Sequence, residues 1–267
     1  MTDLVCLSLD VEEFDAPLER GRSISEEDQF RVSREGLERV LAMLKVRRVP
    51  CTLFSTVRFA QRFPDLIRDA AQTHEIASHG WAHSTFSNDD LPRSREELSR
   101  IAGVPVIGFR MPRMAPVDKA ALAAAGYRYD ASENPVWLPG RYNNFFKPRL
   151  PYLTGDLVTI PASATPVLRV PLFWLSFKNF PQWVYRAACA ETLAVDGALN
   201  TYFHPWEFAD LAGSGLPWYA RRPDGPQLTD RLGAWIEWVA PRARFATYAA
   251  YQSRIRSRAP APRPLPH

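Results

Sequence analysis

Residues 74–84 read HEIASHGWAHS. The 267-residue chain has five histidines; three fall in this stretch, and the only other internal one is His204. EIAS (75–78) reads as a short strand, so His79 and His83 follow a strand end. On a helix or helical turn, their four-residue spacing would put both rings on one face, within reach of one metal ion. Neutral imidazole is a common ligand for zinc and similar ions. His74 falls outside that pair. HEIASH has a spacing of five, unlike the HExxH of helical zinc proteases, and His74 is expected to be structural. Two histidines at i, i+4 are more often surface or packing residues, so the rest of the chain has to decide.

Outward from this stretch, strands and helices alternate. DLVCLSLDV (3–11), CTLFSTV (51–57), VPVIGFR (104–110), YRYDAS (127–132) and LNTYFHP (199–205) are β-rich runs. Helices are predicted over 33–48 with Ser33 as N-cap, over 64–72 with Pro64 near its start, and over 94–103 with a Ser94–Glu97 capping box. Two more are predicted over 117–126, stopped by Gly126, and over 226–240. Residues 133–182 are irregular, rich in proline and aromatics, and 244–251 is a candidate to close the sheet. Repeated strand–helix units predict a mainly parallel sheet with helices outside, in one α/β domain over 1–254. Residues 255–267 read as a Pro/Arg-rich disordered tail.

Three further pieces carry chemistry. In LSLDVEE (7–13), Asp10 and Glu12 are two apart and face the same way in an extended chain. Carboxylates at the end of a parallel strand lie where barrel active sites collect their groups. One could bind a metal beside two histidines and the other act as a general base. GFRMPRM (108–114) places Arg110 at a strand end, where it would keep Asp10 ionised and oriented. TYFHPWEF (201–208) places His204 at a strand end before Pro205; a lone histidine there is more often structural, but beside a metal site it would be the proton donor a hydrolase needs.

These pieces, in this order, resemble the polysaccharide deacetylases with the NodB homology domain, carbohydrate esterase family 4, from about residue 3 to 250. The resemblance implies a distorted parallel (β/α) barrel and a metal-dependent carbohydrate N-deacetylase. It implies Asp10 as base, Glu12, His79 and His83 as ligands of one divalent ion (Zn²⁺, with Co²⁺, Ni²⁺ or Mn²⁺ as alternatives), and His204 as acid. Arg113 stands where the family has an aromatic; its backbone N–H would serve the oxyanion. Asp130 matches a fourth, weaker motif, and Trp206 lies in HPWEF, a form similar to the subgroup tied to bacterial surface-polysaccharide synthesis. The implied substrate is an N-acetylated sugar, polysaccharide or lipid-linked glycan. Deformylation or cyclic-amide opening on the same site is the alternative enzyme reading, and a non-catalytic carbohydrate-binding protein the rival from another class.

Composition sets bounds. Hydrophobic residues make up 46%, enough for a large core, and the net charge is only +4. No basic stripe with interleaved aromatics points to nucleic acid. Cys6, Cys51 and Cys189 form no disulfide framework or CxxC pair. MTDLVCLSLDVEEFD reads as a first strand rather than a signal peptide, so a cytoplasmic location is expected. The aromatics of 167–186 (Trp174, Phe177, Phe180, Trp183, Tyr185) are expected to pack as core and lid, with sugar stacking or peripheral membrane contact as the alternative.

Overall fold

The run LVCLSLDV builds strand β1 (Leu4–Val11), and seven of its eight residues are buried. Alternation decides where each points. Val5, Leu7, Leu9 and Val11 belong to the large apolar layer shared with the helices, whereas Cys6 joins Phe54, Tyr129 and Tyr248 in a second cluster. Ser8 and Asp10 share the phase of Cys6 and are also buried. The central strand thus turns polar side chains inward, and Glu12 continues the row past its end.

The computed structural model describes residues 2–139 and 142–258. After β1 come β2 (Thr52–Ser55), β3 (Glu75–Ser78), β4 (Gly108–Phe109), β5 (Tyr129–Asp130), β6 (Trp137–Leu138), β7 (Tyr142–Asn143), β8 (Tyr152–Thr154), β9 (Leu157–Thr159), β10 (Ala198–Phe203) and β11 (Arg244–Phe245). The helices are α1 (Glu26–Arg47), α2 (Val57–Arg62), α3 (Pro64–Ala70), α4 (Asp90–Ala102), α5 (Lys119–Ala124), α6 (Trp174–Asn179), α7 (Gln182–Asp196), α8 (Trp218–Arg221), α9 (Gly225–Val239) and α10 (Tyr248–Arg258). The main sheet runs β10-β1-β2-β3-β4-β5-β9-β8, with β11 also on β1. Its pairings are parallel except β8 on β9. Between β9 and β10, Ser163 N–H donates to Asn200 O (2.9 Å) and Asn200 Nδ2 to Pro161 O (3.0 Å), closing the curl without a regular ladder. This is the expected distorted, mostly parallel (β/α) barrel.

Several boundaries differ from the sequence reading. The first long helix begins at Glu26, because Ser25 Oγ accepts Asp28 N–H (3.1 Å) and three acids occupy the first turn. Ser33 is a buried interior residue, not a cap. Helix α4 begins at Asp90; Pro92 is tolerated in its first turn, and Ser94 Oγ instead meets Ser78 Oγ and Tyr127 Oη (both 3.2 Å). Strand β4 is two residues long, since Pro105 offers no N–H and Val106 N–H is taken by Ser99 Oγ. Residues 133–182 hold the β6–β7 ribbon, the β8–β9 hairpin and α6. Only Arg244–Phe245 of the 244–251 run extends the sheet; Tyr248 starts α10, which continues to Arg258, so residues 255–258 are helical rather than tail. Residues 259–267 lie outside the described residues.

What matters for chemistry is where strands stop. Parallel strands deliver their C-terminal ends to one side of a barrel. Strands β1, β3, β4 and β10 end at Val11, Ser78, Phe109 and Phe203, so Glu12, His79, Arg110 and His204 are each the next residue. The His204 turn is fixed from outside by α1: a Cβ on Gly36 would stand 1.9 Å from Pro205 O. Gly36→Ala should therefore force α1 off this turn and cost at least about 2 kcal/mol, because backbone cannot yield as a side chain can. A urea-unfolding midpoint equal to wild type would contradict this packing.

Candidate active site

Glu12 stands between the two histidines of the opening stretch. Its Oε2 lies 3.2 Å from His79 Nε2 and 3.1 Å from His83 Nε2. All three side chains are buried, with their ligand-type atoms within 4.8 Å of one another. The histidines do not share a helix as expected. Gly80 takes φ 79°, which breaks any helical turn, and the Gly80 and Trp81 carbonyls accept the Val57 and Arg58 N–H groups of α2. That loop still brings the rings within 5.9 Å of each other, 23° from parallel.

The outer nitrogens are held too. His79 Nδ1 is 2.8 Å from Arg110 O and His83 Nδ1 2.7 Å from Asp15 Oδ1. Such acceptors place a proton on Nδ1 and leave the Nε2 lone pair facing Glu12, the arrangement second-layer partners give metal-bound histidine. A carboxylate and two lone pairs facing one point call for a cation, and two imidazoles with one carboxylate suit zinc-like ions. In the protein alone a proton takes that part. Burial works against charge on His83, but Glu12 and Asp15 outweigh it and push His83 up to about 9. For Glu12, burial opposes ionisation, yet His83, His204 and His79 together hold the carboxyl well below the usual carboxylate range.

Asp10 is set by Arg110, whose side chain is fully buried. Arg110 Nη1 donates to Asp10 Oδ1 (2.5 Å) and Ser8 Oγ (3.0 Å), Nη2 to Tyr248 Oη (3.1 Å), and Nε to Ala131 O (3.2 Å). The guanidinium also lies 4.0 Å from the Phe54 ring centroid and 5.0 Å from that of Tyr202. One Asp10 oxygen is thereby fixed, and Asp10 lines a cavity of about 540 Å³ together with Glu12, His83 and His204.

His204 is positioned from its own turn. Glu207 Oε1 accepts His204 N–H (2.8 Å) and sits 3.0 Å from its Nδ1. Burial disfavours the imidazolium, but Glu12, Glu207 and Asp10 outweigh it and raise the pKa. Trp206 stacks on His204 at 5.0 Å and donates from Nε1 to Glu12 Oε1 (3.2 Å), tying acid and ligand together. Behind Glu207 lies Lys178, wholly buried, with Nζ 3.4 Å from Oε2 and bonded to Ala220 O.

Arg113 takes a left-handed φ of 57°. Its side chain reaches Asp15 Oδ2 (3.1 Å) and Glu19 Oε1 (2.5 Å) at the cavity rim. Asp130 is buried at the end of β5, where Oδ1 accepts Ser132 N–H (2.9 Å) and Oγ–H (2.5 Å). It lines a second, polar cleft of about 660 Å³ and shapes the Ala131 carbonyl that holds Arg110. His74 stands apart at the start of β3, where its Nδ1 accepts Cys51 N–H (3.3 Å). Cys6, Cys51 and Cys189 are buried and free, their thiols pushed up by burial. Of the aromatic segment, Phe177 and Tyr185 are core, Trp174 lines the cavity, and Trp183 is 74% exposed.

Sequence reasoning missed Asp15, Glu207, Lys178, Ser8 and Tyr248. Glu207 had a local signal: it stands three residues after His204, and both halves of a capping box are present. Ser8 and Asp15 lie close to Asp10 and Glu12 in sequence, whereas Lys178 and Tyr248 are joined to the site only by the fold.

Residues 28–130 match the family model described as polysaccharide deacetylase. That matched stretch is under half of the chain. It includes His79, His83, Arg110 and Asp130, whereas Asp10, Glu12 and His204 lie outside it and are joined to it by the fold. No curated protein matches the chain. Among solved structures, one described as a polysaccharide deacetylase from Mycobacterium smegmatis is 23% identical, with a TM-score of 0.69 over 100% of this chain and 94% of its own. Another, so described from Pseudomonas aeruginosa PAO1, is 17% identical, with a TM-score of 0.69 over 97% and 92%. Puue allantoinase is 16% identical, with a TM-score of 0.66 over 97% and 91%. These likenesses establish the fold.

Removing one member of a buried ion pair leaves the other charge stranded, at a cost of about 3–5 kcal/mol. Asp10→Ala should lose stability in that range, and Asp10→Asn, whose amide oxygen still accepts from Arg110, clearly less. A wild-type unfolding free energy in Asp10→Ala would contradict the pairing.

Proposed function

We propose that the chain is a metal-dependent hydrolase that removes an N-acetyl group from an amino sugar of a bacterial polysaccharide or its lipid-linked precursor. The observation that carries this reading is the convergence of Glu12, His79 and His83 beside an arginine-clamped Asp10 and a carboxylate-held His204 around one cavity. A divalent ion bound there, Zn²⁺ by preference, would polarise the acetamide carbonyl and acidify the attacking water. Asp10, oriented by Arg110, takes the proton of that water. The Arg113 backbone N–H supports the oxyanion. His204, whose pKa is raised by Glu12, Glu207 and Asp10 against the effect of burial, gives its proton to the departing amine, which would otherwise leave as an unstable anion. Trp174 and Trp206 offer aromatic faces along the cavity to a sugar ring.

The same site would also act on a formylated sugar, and the allantoinase likeness adds a cyclic amide to the substrates worth assaying. A non-catalytic binding protein on this fold would have no use for the base, ligands and acid all being present. Asp10→Asn should keep zinc while acetate release from N-acetylated amino-sugar oligomers falls by about 100-fold or more, the usual range for a lost general base. Near-normal turnover in that variant would remove Asp10 from its role, and no acetate release by zinc-loaded wild type from any N-acetylated sugar would overturn the proposal.

A further inference from the structure

Residues 134–190 hold six cationic residues (Arg141, Lys147, Arg149, Arg169, Lys178, Arg186), of which Lys178 is buried against Glu207, and one acid, Asp156. Asp156 is itself paired with Arg256 at 2.8 Å. Seven of the twelve exposed large hydrophobic side chains among the described residues fall in this same segment. Three of them crown two loops: Phe146 is 94% exposed, Val167 75% and Leu168 77%. The loops lie side by side, since Arg169 Nη1 donates to Lys147 O (3.3 Å) and the guanidinium stands 5.8 Å from the Phe145 ring. Arg149 is tied to Asp196, so Lys147 and Arg169 are the cations beside the apolar tip. Apolar tips flanked by two cations, in a segment with one acid, match an anionic bilayer: apolar groups enter the acyl boundary and cations meet the headgroups. Among the described residues no helix is long and apolar enough to cross a membrane, so contact here would be from the surface.

We propose that this two-loop tip docks on an anionic phospholipid bilayer, with Phe146, Val167 and Leu168 inserted and Lys147 and Arg169 on the headgroups. Docking would set the chain's clefts at the interface. Lys147 also walls the polar cleft of about 660 Å³, which shares Glu19, Arg113 and Met114 with the cavity that holds Glu12. A glycan carried on a membrane lipid would reach Glu12 along that cleft; this last consequence rests on the proposed function, whereas docking does not.

Co-sedimentation of the full chain with vesicles tests it. The probes are phosphatidylcholine vesicles with and without about 30% phosphatidylglycerol, at low and high salt. Binding is expected only with phosphatidylglycerol, falling with salt as the surface potential is screened. Phe146→Ser/Val167→Ser/Leu168→Ser should weaken it by about tenfold or more while zinc content and melting temperature stay at wild-type values. Three results would overturn docking: no sedimentation with phosphatidylglycerol at low salt, equal binding by the triple variant, or self-association of wild type abolished by the same substitutions, which would make a second copy the occupant. Sedimentation reads no turnover, so failure here leaves the hydrolase reading standing, and failure of hydrolysis leaves this result standing.

Discussion

The buried Arg110 guanidinium is the contact on which the arrangement depends. It binds Ser8 and Asp10 on β1, the Ala131 carbonyl beyond β5 and Tyr248 at the start of α10, between the faces of Phe54 and Tyr202. A charge with no water contact is tolerable only when its donors are met and its counter-charge is close. Both conditions bring elements from opposite ends of the chain to one place inside the barrel. The same residue offers its backbone carbonyl to His79 Nδ1, so one position orients a carboxylate and an imidazole.

Much of this was legible in the sequence because the chemistry sits at strand ends. Glu12, His79, Arg110 and His204 each directly follow a strand, and a β-rich run that stops on a charged or ionisable residue can be read without coordinates. The inward phase of Asp10 and Glu12 follows from alternation alone. Boundaries were less legible, because tertiary contacts decided them. Ser33 and Ser94 look like caps but are buried in helix interiors, while the working cap of α1, Ser25, precedes an acidic turn that hides the helix start. In 104–107, proline and the Ser99 hydroxyl withdraw backbone that its residues would otherwise commit to a strand. The histidine pair was read as a helical turn, yet Gly80 makes it a loop that brings the same two rings to Glu12.

The supporting partners were the least legible. Asp15 holds His83, Glu207 holds His204, and Lys178 stands behind Glu207 in full burial. Asp15 and Glu207 are near in sequence to residues that were found, but nothing in a carboxylate's identity says which imidazole it will face. Lys178 and Tyr248 come from helices whose place against the site is a property of the whole fold. Asp15, with the Arg110 carbonyl, fixes which nitrogen of His83 and His79 carries a proton, and so whether the inner lone pairs can serve a cation at all.

The central claim is that Glu12, His79 and His83 form one cation site. X-ray absorption at the zinc edge, on protein loaded with one equivalent, tests it most directly. The account predicts two imidazole nitrogens and a carboxylate oxygen at about 2.0–2.2 Å, with no sulfur in the shell, and loss of that signal in His79→Ala/His83→Ala. A thiolate-containing shell, or the same spectrum from the double variant, would contradict it.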